Sequence, residues 1–326
     1  MTTQMKAAII NEYGRSGVLQ VTNIDRPVPG PNDVIVKVVA ASLNPRDWLT
    51  MRGIYQARKS LEPFPITLGS DFSGEIVQLG ALVSSFEIGN RVFGMQPLRG
   101  KFGAFAEYVK INASAIAAKP NGVDHECAAA MPCAGMTSYQ TLHKIARVQP
   151  GETILINGAS GGVGIYAIQI AKAMGANVVA VCGPDNAELC KDLGADDVIN
   201  YRAGNFEDRS AAYDVVYDVI GRSSPRKPSK SLKHGGRYVT TIPRVKTAVT
   251  AASSWLANKI LPGKRKTSHL VLVKPEPADL SAMASMILAG TLHSVIDSRY
   301  SLGDVEQALE RSQTWRARGK IIININ

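Results

Sequence analysis

The chain of 326 residues has no apolar run approaching the 18 or so that a helix needs to cross a bilayer, so no anchor of that kind is expected. Cysteine is scarce. Cys127, Cys133, Cys182 and Cys190 sit among apolar neighbours, and no pair has the C-x-x-C spacing of a redox or zinc motif. Histidine appears singly, as His125, His143, His234, His269 and His293, with no ligand-spaced pair, so surface or packing roles are expected for each and no metal ligand. The opening Met1-Thr2-Thr3-Gln4-Met5-Lys6 leads into a strand-like run without the charged lead, apolar plug and cleavage site of a secretory signal. A reduced, cytoplasmic setting is the expectation.

Acidic residues are missing from one long stretch. Of a net charge of +10, residues 222–268 carry more than the whole excess, with twelve Lys and Arg and no Asp or Glu. This implies a local basic surface on an otherwise near-neutral protein, and three readings of it stay open. A nucleic-acid surface is disfavoured, because only Tyr238 and Trp255 supply the aromatics that single-strand readers interleave with charge. Peripheral contact with an anionic membrane, or a cover over an apolar pocket, would use Trp255, Leu256, Ile260 and Leu261. A helix packing in a homodimer is the third.

Length suggests about two domains. Strand-like runs follow one another at 6–11, 18–23, 33–42, 74–79, 91–95 and 104–110, separated by turns such as Pro27-Val28-Pro29-Gly30-Pro31. After Pro120 the texture changes to alternating helix and strand, with helices over 124–131 and 137–146 and strands near Thr153, Val178, Asp197, Tyr213, Gly236 and Leu270. Such alternation implies a parallel, doubly wound sheet. The tail, with helices over 279–288 and 303–313 and a closing strand over 320–324, is expected to return to the first domain.

The densest signal is Asn157-Gly158-Ala159-Ser160-Gly161-Gly162-Val163-Gly164, between an apolar run, 153–156, and a helix-compatible stretch, 165–176. Strand, glycine turn and helix in that order make a dinucleotide site, because the turn brings backbone amides and the positive helix end against a pyrophosphate. Gly161 and Gly164 carry the pattern, while Ala159 stands at the first glycine of the usual G-x-G-x-x-G. Ala159, Ser160, Gly161, Gly162, Val163 and Gly164 are therefore candidate cofactor contacts. At the end of the next strand, Cys182-Gly183 stands where NAD-preferring folds put an acid on the ribose, which leaves room for a 2′-phosphate. Asp185 would oppose one, and Arg202 could supply charge. NADPH is expected, with NADH as the alternative. Val219-Ile220-Gly221 and Thr241-Ile242 end later strands and are expected to contact cofactor through backbone.

Together with Asn44-Pro45-Arg46-Asp47, the block Leu68-Gly69-Ser70-Asp71-Phe72-Ser73-Gly74-Glu75, Gly135-Met136-Thr137-Ser138-Tyr139, Leu193-Gly194-Ala195-Asp196 and the ending Arg318-Gly319-Lys320-Ile321-Ile322, these marks resemble the zinc-independent quinone oxidoreductase branch of the medium-chain dehydrogenase/reductase superfamily. The resemblance implies an α/β chain with a β-rich GroES-like partial barrel (residues 1–124 and 289–326) and a doubly wound Rossmann domain (125–288). It also implies hydride transfer to a quinone or enone substrate, and commonly a homodimer; because some relatives keep the cofactor fold yet serve as lens proteins or bind RNA, a cofactor-binding protein with a basic RNA- or membrane-interacting surface is the alternative. Zinc-dependent members carry Cys in the Asn44 region and Gly-His-Glu at Gly69-Ser70-Asp71, and a cysteine lobe absent here, so no metal is expected.

The same resemblance nominates site residues. Tyr55 matches a loop tyrosine that faces the nicotinamide in enone reductases, and a phenol can donate at neutral pH without a shifted pKa; packing is its other reading. Asn44 matches a position near the nicotinamide, and Thr137 one at the pyrophosphate side, with a helix N-cap as the alternative. Tyr201 matches a tyrosine of the 2′-phosphate pocket, against a core role. Lys320 enters as a cofactor contact. Asp47 is read mainly as a hydrogen-bonding turn residue after Pro45.

Overall fold

The structure, a computed structural model, describes residues 3–54, 64–97, 103–221, 228–242 and 266–325. Chain contacts divide it into two units: Met1–Met136 with Lys274–Gly290 and Ser294–Asn326, and Thr137–Val273 with Thr291–His293.

The first unit is built on strands whose alternation buries one face. A small antiparallel sheet joins β2 (Leu19–Asp25), β1 (Gln4–Ile10) and β4 (Ile66–Thr67). The larger sheet runs β15 (Ile296–Ser301), β16 (Lys320–Asn324), β3 (Asp33–Leu43), β5 (Asp71–Leu79), β6 (Arg91–Met95) and β8 (Ile116–Ala118), with β7 (Tyr108–Asn112) also on β3. Val34, Val36, Phe72, Ile76, Phe105 and Ile323 are among the side chains that fill the core. The tail returns as expected: Ile321 pairs with Leu43 and Ile322 with Ser42. Helix His125–Ala130, capped by the Asp124 carboxylate on the Cys127 amide, packs on β3 and β5 and so belongs with this unit.

Three of these registers matter for function. Ser42 of β3 lies opposite Asp71 of β5, Leu43 lies opposite Ile321 of β16, and Asn44 follows directly as N-cap of helix Pro45–Met51. Residues far apart in sequence therefore converge at one end of the sheet.

The second unit is a six-stranded parallel sheet ordered β11 (Asp197–Asn200), β10 (Asn177–Cys182), β9 (Thr153–Asn157), β12 (Tyr213–Asp218), β13 (Leu232–Thr240) and β14 (Thr267–Leu270). Central strands read as continuous apolar runs, Ile154-Leu155-Ile156 in β9 and Val178-Val179-Ala180-Val181 in β10, as strands covered on both faces do. The order reverses between β9 and β12, the switch point outside which ligands of such sheets bind. The helix expected over 137–146 begins earlier, at Pro132, and passes at Gln140–Ile145 into a π-helical turn.

Candidate functional site

In the second unit the glycine loop has the form a phosphate needs. Gly158 turns the chain with φ of +88°, a conformation costly for any side chain, and its amide donates to the Val181 carbonyl. Sequence pattern assigned no role to Gly158, because it precedes the usual spacing. Ala159, fully buried, fills the position of the first glycine without strain. Gly164 is a contact glycine: a Cβ there would lie 2.3 Å from the Gly158 carbonyl oxygen and 2.4 Å from that of Ala159. Gly161 differs. It is the N-cap of helix Gly162–Ala173 in extended conformation, with no side-chain cap, and a Cβ there would meet only the Gly158 oxygen, at 3.5 Å. The helix thus presents its first amides and positive end at a place with room beside the backbone.

The expected contacts that belong to the second unit lie in two groups about this loop. On the β12 and β13 side, Ile220 packs on Gly158, Ile242 on Gly221, and Thr241 Oγ1 reaches the Val219 carbonyl at 3.5 Å. A buried carboxylate that sequence reasoning missed, Asp218, ties them together. It accepts from Asn157 Nδ2, the Gly221 amide and the Tyr238 hydroxyl, each at 2.9 Å. At the start of the helix, Ser138 donates to the Val163 carbonyl at 2.8 Å. Its neighbour Thr137 is buried inside helix Pro132–Tyr139, so the N-cap alternative for Thr137 falls.

On the β10 side, Ser160 accepts from Asn186 Nδ2 at 3.1 Å. Cys182 is buried and free. Gly183 lies under the Tyr201 ring, close enough that a Cβ would sit 3.6 Å from the hydroxyl. At 59% exposure Tyr201 is no core residue, and Asp185 and Arg202 are exposed beside it. Tyr55 and most of 222–268, Trp255 included, lie outside the described residues.

The first unit holds a separate, buried polar cluster. The Asn44 amide is engaged at both ends: Oδ1 accepts from Lys320 Nζ at 2.6 Å, and Nδ2 donates to Asp71 Oδ2 at 2.9 Å, with Ser42 O and Ser70 Oγ each at 3.3 Å. Lys320 Nζ also reaches the Leu43 carbonyl at 3.3 Å and stands 3.7 Å from Asp71 Oδ2. Asp71 Oδ2 further accepts from the Cys133 amide at 3.1 Å, while Oδ1 is buried and finds no partner among the described residues. Asp47 accepts from the Asn44 backbone amide at 2.8 Å and from Ser70 Oγ at 3.1 Å, which bears out its reading as a residue that closes the turn after Pro45.

Burial dominates the electrostatics. It raises the Asp47 carboxyl to about 6 against the opposing pull of Arg46 and the Asn44 amide, and raises Asp71 against the Lys320 ammonium. Burial, reinforced by Asp71, pushes the Cys133 thiol up to about 12 and leaves it un-ionised. Arg46 opposes the rise at both carboxyls, and Lys320 opposes it at Asp71.

Comparison with known proteins agrees with this architecture. The zinc-binding dehydrogenase family matches residues 193–323, and the alcohol dehydrogenase GroES-like domain matches 30–121. The human protein named NAD(P)H oxidoreductase RTN4IP1, mitochondrial, is 33% identical over 99% of this chain and 90% of its own length. The Arabidopsis thaliana chloroplast envelope quinone oxidoreductase homolog is 32% identical over 98% of each. The quinone oxidoreductase structure from Coxiella burnetii superposes with a TM-score of 0.88 at 30% identity, covering 99% of this chain and all of that one. On both sequence and fold, the chain belongs to the quinone-oxidoreductase-like branch of the medium-chain dehydrogenase/reductase family, and is an oxidoreductase using a nicotinamide cofactor.

Proposed function

We propose that the chain is an NADPH-dependent reductase of quinones or α,β-unsaturated carbonyls that works without a metal ion. The observation that carries the metal-free part is the cation already present where the family resemblance maps the zinc ligands. There Lys320 Nζ stands 2.6 Å from Asn44 Oδ1 and 3.7 Å from Asp71 Oδ2. Zinc takes thiolate, imidazole or carboxylate donors. Here the first two mapped ligands are an amide and a hydroxyl, and the carboxylate of Asp71 faces an ammonium. This donor set does not fit zinc, and no step is assigned to one.

The glycine loop does fit a dinucleotide. Gly161 leaves room for a pyrophosphate beside uncapped amides, and Gly164 lets the helix approach that closely. When bound, dihydronicotinamide supplies a hydride to a quinone or to the β-carbon of a conjugated carbonyl, with charge passing to the oxygen. Such an acceptor needs only a hydrogen-bond donor at that oxygen and a proton, which is the chemistry left to a site without a Lewis acid. Tyr55 is the proposed donor. Preference for NADPH is supported by the missing acid at Cys182-Gly183 and by the exposed Tyr201 over Gly183. Quinones enter the proposal through the names of the relatives.

Two measurements test this. NADPH oxidation against quinones, short enals and long-chain enones should proceed, and simple alcohols should not be oxidised with NADP⁺. Elemental analysis should find no stoichiometric zinc. Alcohol oxidation lost to a chelator would overturn the reading.

A further inference from the structure

Lys320 is 3% exposed at the side chain and belongs to a strand, β16, whose neighbours are apolar: Ile321, Ile322 and Ile323. An ammonium so buried is strongly unfavourable unless it is paired and its hydrogens are used. Its pairing runs entirely through the cluster at the end of β3 and β5, on Asn44 Oδ1, the Leu43 carbonyl and Asp71. Asp71 in turn is wholly buried, with one oxygen unpartnered among the described residues. Lys320 is the cation that the described contacts bring against it, and the charge of Arg46 also acts on it.

We propose that Lys320 is a positioning residue that does the electrostatic work of a metal cation: it neutralises Asp71 and locks the Asn44 carboxamide in one orientation. The orientation follows from donor chemistry. Lysine has only donors, so Asn44 must turn its oxygen to Lys320, and its NH₂ then meets Asp71, Ser70 and the Ser42 carbonyl, all acceptors in this arrangement. Reversing the amide would set NH₂ against ammonium and oxygen against carboxylate. Asn44 and helix Pro45–Met51, which it caps together with Asp47, are thereby held by a residue 276 positions away. This assigns Lys320 to the fold of the polar site instead of direct cofactor contact, and it stands whether or not the proposed substrate is right, since its main test needs no substrate.

The test uses the full chain with Lys320→Met, Asp71→Asn and the double variant, comparing unfolding by denaturant from pH 5 to 8, with NADPH affinity measured alongside. The groups facing Asp71 are Lys320 on β16, Asn44, Arg46 and Asp47 around helix Pro45–Met51, Ser70 before β5, and Cys133 on helix Pro132–Tyr139. Without the ammonium, Asp71 must hold its proton when folded while the unfolded chain gives it up. Lys320→Met should then steepen the fall of stability with rising pH by up to about tenfold in the folding equilibrium per pH unit. Adding Asp71→Asn should remove that extra slope and restore most of the loss. NADPH affinity should change less than about threefold in the double variant, well under the tenfold that loss of a charged contact costs. A double variant as damaged as Lys320→Met, folded or not, would overturn the proposal. So would a Lys320→Met protein with parental stability and weakened NADPH binding, which would make Lys320 a cofactor ligand.

Discussion

Alanine at Gly161 and alanine at Gly164 should damage different properties of one loop. Gly161 has φ of −84° and ψ of 174°, comfortable for any residue, and the nearest atom to an added Cβ is 3.5 Å away. Gly161→Ala should leave the fold intact or stabilise it by about 0.4–1 kcal/mol through a stiffer unfolded chain. The methyl group would stand where a pyrophosphate approaches the helix amides. Losing one charge-assisted hydrogen bond of about 1.5–3 kcal/mol raises Kd for NADPH roughly 10- to 150-fold. At Gly164 an added Cβ would lie 2.3 and 2.4 Å from two backbone carbonyl oxygens that cannot rotate away, so the helix must shift from the loop. Overpacking of this kind costs about 1–3 kcal/mol of stability even without cofactor. Denaturant unfolding of the cofactor-free proteins and calorimetric titration with NADPH separate the two effects. Unchanged affinity in Gly161→Ala, or parental stability in Gly164→Ala, would refute the assignment of roles.

NADPH should bind more tightly than NADH by calorimetry; if it does not, the exposed Asp185 dominates the local field, and Asp185→Arg should then swing preference toward NADPH. Tyr55→Phe should lower kcat for enone reduction about ten- to a thousandfold at unchanged NADPH affinity, the range for loss of a positioned donor, and normal turnover would return Tyr55 to packing. Asp47, raised by burial to about 6, stays protonated in the folded chain over a range where the unfolded chain ionises. Its stabilising contribution is therefore full below about pH 4 and falls by about 3 kcal/mol as pH rises through 6, a slope that Asp47→Asn should remove from the unfolding profile.

Element order was legible because proline and glycine turns punctuate the barrel strands and because β9, the glycine loop and the following helix form a local pattern. What failed was long-range or atypical. The helix at Pro132 was missed since Cys127 to Met136 is small and apolar throughout, with no period to mark a start. β5 was expected from Gly74 but begins at Asp71, because its first residue is a buried carboxylate whose partners come from Asn44, Cys133 and Lys320. No spacing announces that cluster; it arises from the registers of β3 with β5 and β16. Asp218 likewise reads as a strand-end acid until Tyr238 and Asn157 are seen on it.

Transfer of label from cofactor to product tests the central claim most directly. NADPH deuterated at nicotinamide C4 on the transferring face, incubated with a simple enone and chelator-treated protein, should place deuterium on the β-carbon of the saturated ketone. Deuterium on the carbonyl carbon of an allylic alcohol, or turnover abolished by the chelator, would contradict a metal-free conjugate reductase.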